Sequence, residues 1–250
     1  MTDRDMAAHL RESGWGVIPP EQYGIDMEDR FHSVWKCVES YTMTSRERGY
    51  ALYKAVEYLC GNAISGDLVE CGVWKGGSSM LMALALMDCS EASRHLFLYD
   101  TYEGMTAPTS EDVIAWNNKS VQAKLAEERK AGKDSFSSWS AGREEVEANM
   151  QSTGYPEDRV HYVAGDVCET LKTVVPRKIS LLRLDTDWYA STVSELEYLY
   201  PRLVSGGILI IDDYGHFKGA RQAVDGYFRK IKNFPYMSRI DYTGRVIVKP

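Results

Sequence analysis

Four aspartates in two short signatures, Asp185-Thr186-Asp187 and Asp212-Asp213, have the types and spacing to do chemistry. The first ends the apolar run Ile179 to Leu184, and the second ends a run that follows Gly206-Gly207. Runs of four to six branched apolar residues bounded by Gly or Asp read as strands buried on both faces. In an open α/β sheet the ligand crevice lies beyond the carboxyl ends of the strands, so all four acids face one site. Packed together they repel unless protons or a cation neutralise them. With only oxygen donors on offer, a hard cation such as Mg²⁺ fits best. Taken singly, Asp-Asp reads as a turn and Asp-Thr-Asp as a helix start. Their pairing behind two buried strands points to a metal.

The elements that position these acids follow a βα rhythm. Residues 1 to 30 read as an arm that wraps the surface or reaches a neighbouring subunit. Apolar spacing from Phe31 to Cys60 predicts two helices, the second starting at Thr44 or Ser45. Leu68 to Cys71 is a strand running into a glycine turn and an apolar helix, Ser78 to Met87. Such a turn holds a nucleotide-like ligand over the amides of the helix N-terminus. Its glycines, Gly72, Gly76 and Gly77, do not have the GxGxxG spacing, and Glu70 stands before the first. Leu96 to Tyr99 is the next strand and ends in Asp100, where such folds hold ribose hydroxyls. Residues 105 to 154 break the rhythm and read as a lid. Helical stretches at Glu111 to Lys130 and Gly142 to Gln151 are expected in it, with Trp116, Phe136 and Trp139 as apolar anchors. Val160 to Val163 is a strand followed by Gly165-Asp166, and Cys168 to Val174 a short helix. Lys218 to Ile231 is an amphipathic helix, and Tyr242 to Val248 a closing hairpin or edge strand.

The chain has 250 residues and a formal net charge of −7, which argues against nucleic acid or an anionic membrane as partner. No apolar run approaches the roughly 20 residues of a membrane helix. Five scattered cysteines read as reduced thiols of a cytoplasmic protein. One domain spanning residues 1–250 is expected, with the arm and first helices in 1–60 and the lid in 105–154.

ECGVWKGGSS, YDTYEGM with the TAPT after it, LLRLDTDWYAST, LYPRLVSGG and IIDDYG with GARQAVD resemble the macrocin O-methyltransferase family. The resemblance runs from about Met43 to Phe228. It implies an α/β, Rossmann-like class I methyltransferase: a mostly parallel seven-stranded sheet flanked by helices, with an N-terminal helical segment and an inserted lid. It implies S-adenosylmethionine and Mg²⁺ as cofactors, and a deoxysugar hydroxyl of a macrolide-like natural product as acceptor. By the same resemblance Glu70, Gly72 and Ser78 form the first cofactor motif, Asp100 binds the ribose, and Asp166 with Val167 edges the adenine. Met43 and Thr44 close over the cofactor. Asp185, Asp212 and Asp213 hold the metal, and Asp187 is the general base.

A sugar hydroxyl loses its proton with difficulty, and a divalent cation both acidifies it and fixes its oxygen. A nearby carboxylate then accepts the proton. His216, four residues after Asp212, is the one histidine placed to serve as a secondary base or acceptor contact. Trp188 and Tyr189 are read as core rather than substrate contacts. A catechol or phenol O-methyltransferase would share the fold, cofactor and metal. A metal-dependent glycosyltransferase would explain Asp-Thr-Asp but not ECGVWKGG. The arm and lid suggest a homo-oligomer whose subunits cover each other's sites.

Overall fold

The computed structural model describes residues 3–17, 24–131 and 139–250. Phe136, Pro19 and Pro20 fall outside the described residues. The N-terminal region holds α1 (Asp3–Glu12), a helix not expected from the sequence, then α2 (Asp29–Val38) and α3 (Arg46–Gly61). Ser45 caps α3 by accepting the Arg48 N–H, in line with the expected start. The βα units that follow are β1 (Asp67–Cys71), α4 (Gly77–Asp88) and β2 (Leu96–Asp100). The long connection contains α5 (Val121–Lys130) and α6 (Arg143–Ser152). Then come β3 (Val160–Ala164), α7 (Val167–Thr170), β4 (Ile179–Leu184), α8 (Tyr189–Tyr198) and β5 (Leu203–Ile211). The chain closes with α9 (Lys218–Lys230), β6 (Met237–Arg239) and β7 (Arg245–Val248).

The seven strands form one sheet in the order β3-β2-β1-β4-β5-β7-β6. The first five are parallel, and β7 and β6 add antiparallel at one end. Alternation along the strands splits the core between the two faces. Leu68, Leu98, Leu181 and Ile210 pack with α2, α3 and α4. Val69, Tyr99, Leu182 and Ile211 pack with residues of α7, α8 and α9 on the other face.

Several boundaries differ from those read in the sequence. Gly206 and Gly207 lie inside β5, because Gly206 N–H bonds to Lys249 C=O and Lys249 N–H to Gly207 C=O across the β7 side. Tyr242 to Gly244 form the turn between β6 and β7, and β6, not the last strand, is the sheet edge. Residues 111–120 are not helical. Val113 pairs with Ser120 and Ile114 with Phe217 in isolated antiparallel bridges. Trp116 is 72% exposed and anchors nothing; Ile114, Val121 and Leu125 do so, in a third cluster with Trp188 and Phe217. Among the described residues no helix is long and apolar enough to cross a membrane.

Candidate active site

The sheet ladder continues past the strand ends and carries the acids to one place. Asp185 N–H bonds to Cys71 C=O at 2.8 Å, Asp212 N–H to Leu184 C=O at 2.9 Å, and Gly72 N–H to Tyr99 C=O at 2.9 Å. Gly72 has φ +84°, and a Cβ there would lie 1.9 Å from the Asp185 carbonyl oxygen. Only glycine lets β1 and β4 end so close together.

A cavity of about 300 Å³ opens over these ends. Gly72, Asp100, Asp166, Val167, Met43 and Thr44 line one part of it. Asp185, Asp187, Asp212, Asp213 and His216 are also on its wall. Glu70 and Ser78 are not on its wall. Glu70 is buried, accepting from Ser79 Oγ and from Arg183 Nη1 at 2.6 Å, and burial pushes its pKa up to about 7. Ser78 is also buried, with Oγ 3.4 Å from Thr42 Oγ1. Asp100 orders the glycine turn itself: Oδ2 accepts the Val73 and Trp74 N–H groups at 2.7 and 3.1 Å, and Oδ1 the Tyr102 N–H at 2.8 Å. Asp166 caps α7 through the Cys168 N–H at 2.8 Å.

Asp185, Asp212 and Asp213 each bring a carboxylate oxygen within 4.8 Å of the other two. Asp213 Oδ2 is buried without a hydrogen-bond partner. Burial, with the Asp185 charge, pushes Asp213 up to about 7. Asp187 lies against Asp213, and burial followed by the Asp213 and Asp185 charges raises its pKa well above the carboxylate range. An all-oxygen set with one unsatisfied, buried acceptor fits a hard divalent cation.

Two arginines that the sequence reading passed over also serve these acids. Arg183 donates through Nη1 to Asp185 and through Nη2 to Asp212, both at 2.7 Å. Its position was readable: Arg183 interrupts an otherwise apolar buried strand, and a buried charge demands partners. Arg48, on the first turn of α3, reaches Asp212 Oδ2 and bonds to Asp241 Oδ2 at 3.0 Å. Asp241 also accepts from Ser45 Oγ at 2.8 Å, so the Met43–Thr44 segment and the β6–β7 turn are clasped together. Nothing in local spacing marks that pair, which is separated by 193 residues.

His216 meets Tyr242 through Nδ1 and the phenol hydroxyl, and its ring stands edge-on to Phe217. Burial, then the charges of Lys124 and Arg48, lower its pKa. Trp188 is buried and donates from Nε1 to Thr106 C=O at 3.0 Å, yet it also lines the cavity, as does Trp139.

A mostly parallel sheet in this strand order, with a glycine turn after β1 and an acid after β2, defines a class I S-adenosylmethionine-dependent O-methyltransferase. The chain belongs to the macrocin-O-methyltransferase (TylF) family, whose model matches residues 18–249. It is similar to the 8-demethyl-8-(2,3-dimethoxy-alpha-L-rhamnosyl)-tetracenomycin-C 4'-O-methyltransferase of Streptomyces olivaceus. The two are 32% identical over 210 residues, 84% of this chain and 76% of that one. It is also similar to the demethyldecarbamoylnovobiocin O-methyltransferase of Streptomyces niveus, 31% identical over 82% of this chain and 74% of the relative. The solved O-methyltransferase NovP superposes with a TM-score of 0.71 at 28% identity, covering 84% of this chain and 82% of that one.

Proposed function

We propose that this enzyme methylates a sugar hydroxyl, a deoxysugar's in particular, on a glycosylated natural product. Asp185, Asp212 and Asp213 would hold Mg²⁺, and Asp187 would accept the proton. The observation that carries this reading is the three-carboxylate cluster opening on the same cavity as Gly72 and Asp100. The Streptomyces olivaceus relative is named for an acceptor that carries a rhamnosyl group, which supports the sugar assignment.

Asp100 keeps the glycine turn in shape, and Gly72, Asp166 and Val167 offer the walls against which the cofactor would lie. Arg183 and Arg48 engage both oxygens of Asp212, so this ligand is oriented by its neighbours, as metal ligands generally are. A bound divalent cation supplies acidification of the acceptor hydroxyl. Asp187 lies against Asp213 on the same wall, where a bound cation would favour its charged form and leave a carboxylate able to take that proton. Trp74, Trp139 and Trp188 line the cavity and exclude water from a transfer in which charge is lost. His216, paired with Tyr242, would contact the acceptor.

The test is a mass-spectrometric assay with S-adenosylmethionine, Mg²⁺ and a panel of glycosylated small molecules beside their free aglycones. Methylation of the sugar-bearing compounds, abolished by EDTA, is expected. Full turnover in EDTA, or methylation of phenolic aglycones alone, would overturn the assignment.

A further inference from the structure

The short segment bearing two of the working acids is bent against its own preference. Asp187 has φ +65°, and the Trp188 N–H bonds back to the Thr186 C=O at 2.7 Å. A three-residue turn with a positive φ at its apex is the rare and strained hand of the γ-turn. A non-glycine residue in this region is strained and persists only where its surroundings over-determine it. The bend has a use. It places the Asp187 carboxyl against Asp213 on the cavity wall.

What holds the bend lies underneath it. Thr186 Oγ1 donates to Glu195 Oε1 at 2.8 Å and lies 2.7 Å from Ser191 Oγ. Glu195 is on α8, fully buried, and its second oxygen has no partner. On the far side of the turn, buried Asp112 accepts the Tyr189 N–H at 2.8 Å and the Trp188 indole is fixed on Thr106. The turn is therefore clamped at both ends. Glu195 is not on the cavity wall and does not touch the reacting groups.

We propose that Glu195 is a positioning residue for methyl transfer: through Thr186 it holds the strained turn that presents Asp185 and Asp187 to the cavity. The proposal rests on the reading of those two aspartates as the metal ligand and the base. Burial pushes Glu195 up to about 8, so at pH 7 the acid is neutral and glutamine reproduces both its shape and its charge.

The experiment compares Glu195→Ala, Glu195→Gln, Thr186→Val and the Glu195→Ala/Thr186→Val double variant. It measures kcat, the Kd for S-adenosylhomocysteine, Mn²⁺ affinity by direct titration, and melting temperature. Glu195→Ala and Thr186→Val should each lower kcat by about tenfold or more, the scale of a misplaced base. Mn²⁺ binding should weaken, while S-adenosylhomocysteine affinity stays within a few fold. Glu195→Gln should recover most of kcat. The double variant should lose little beyond either single one, because both break one strut. Thr186→Val removes only a hydroxyl and carries the test if Glu195→Ala does not fold. Full kcat in folded Thr186→Val or Glu195→Ala, or equal damage from Gln and Ala, would overturn the strut. Wild-type protein that turns over but binds no Mn²⁺ would remove the metal reading instead, with the strut still judged by kcat and by the Gln rescue.

Discussion

Arg183 Nη2 donates to Asp212 Oδ1 at 2.7 Å, binding a guanidinium from inside β4 to the acid that ends β5. The same residue reaches Glu70 and Asp185, so the cluster carries part of its own neutralisation. Removing one partner of a buried ion pair costs about 3–5 kcal/mol. Arg183→Met should therefore lower the melting temperature by on the order of 10 °C. The unshielded acids should then gain more from a cation, so added Mg²⁺ should raise the melting point of the variant more than that of the wild type. Equal Mg²⁺ shifts in both proteins would show that Arg183 does not face the metal ligands electrostatically.

Asp185→Asn, Asp212→Asn and Asp213→Asn each remove an anionic donor from the cluster while leaving the glycine turn intact. Turnover should fall strongly in each, with S-adenosylhomocysteine affinity within a few fold by calorimetry. Loss of cofactor binding in step with turnover would mean that these aspartates serve the cofactor pocket instead.

Asp187→Asn should keep metal and cofactor binding yet reduce turnover by about 10²- to 10⁴-fold, the usual span for a lost general base. A Mg²⁺ titration of the variant separates the roles. Activity that returns at high Mg²⁺ would make Asp187 a ligand, and activity unchanged at every concentration would leave His216 as the next candidate.

Gly72→Ala forces a Cβ to within 1.9 Å of the Asp185 carbonyl oxygen at a left-handed φ. The conformational part alone costs roughly 1–3 kcal/mol, and the displaced β4 end adds to it. The variant should melt several degrees lower and lose both cofactor affinity and turnover. Wild-type melting and kinetics would show that the ends of β1 and β4 are free to part.

Stability should report Glu195 through pH. Its folded pKa of about 8 lies above the ordinary 4.5, mainly through burial and then the charges of Asp185 and Asp213. Between those values the unfolded chain gives up the proton while the folded one keeps it, so this group's contribution declines as pH rises from 4.5 to 8. Glu195→Gln has no such decline. The melting temperature of Glu195→Gln relative to wild type should rise from pH 5 to pH 8, and a constant difference would contradict the raised pKa.

The sequence by itself determined the five parallel strands, the glycine turn and the four acids at the strand ends, because these depend on local pattern. Largely apolar runs read as buried parallel strands, and residues just past their carboxyl ends must share one crevice whatever the remaining chain does. It also carried enough family-specific text, in LDTDWY and IDDYG, to identify the chemistry. Tertiary structure decided what those acids touch. Glu70 belongs by motif to the cofactor turn, but register sets it opposite Arg183 and turns it into that guanidinium's partner. Asp100 spends its oxygens on backbone amides of the turn it faces. Arg48 and Asp241 meet across 193 residues, and Glu195 meets Thr186 only because α8 folds back beneath β4. Alternation along a regular strand would give Asp185 and Asp187 one facing without effort. The chain instead leaves the strand after Leu184, and Asp187 takes a positive φ that no strand alternation encodes.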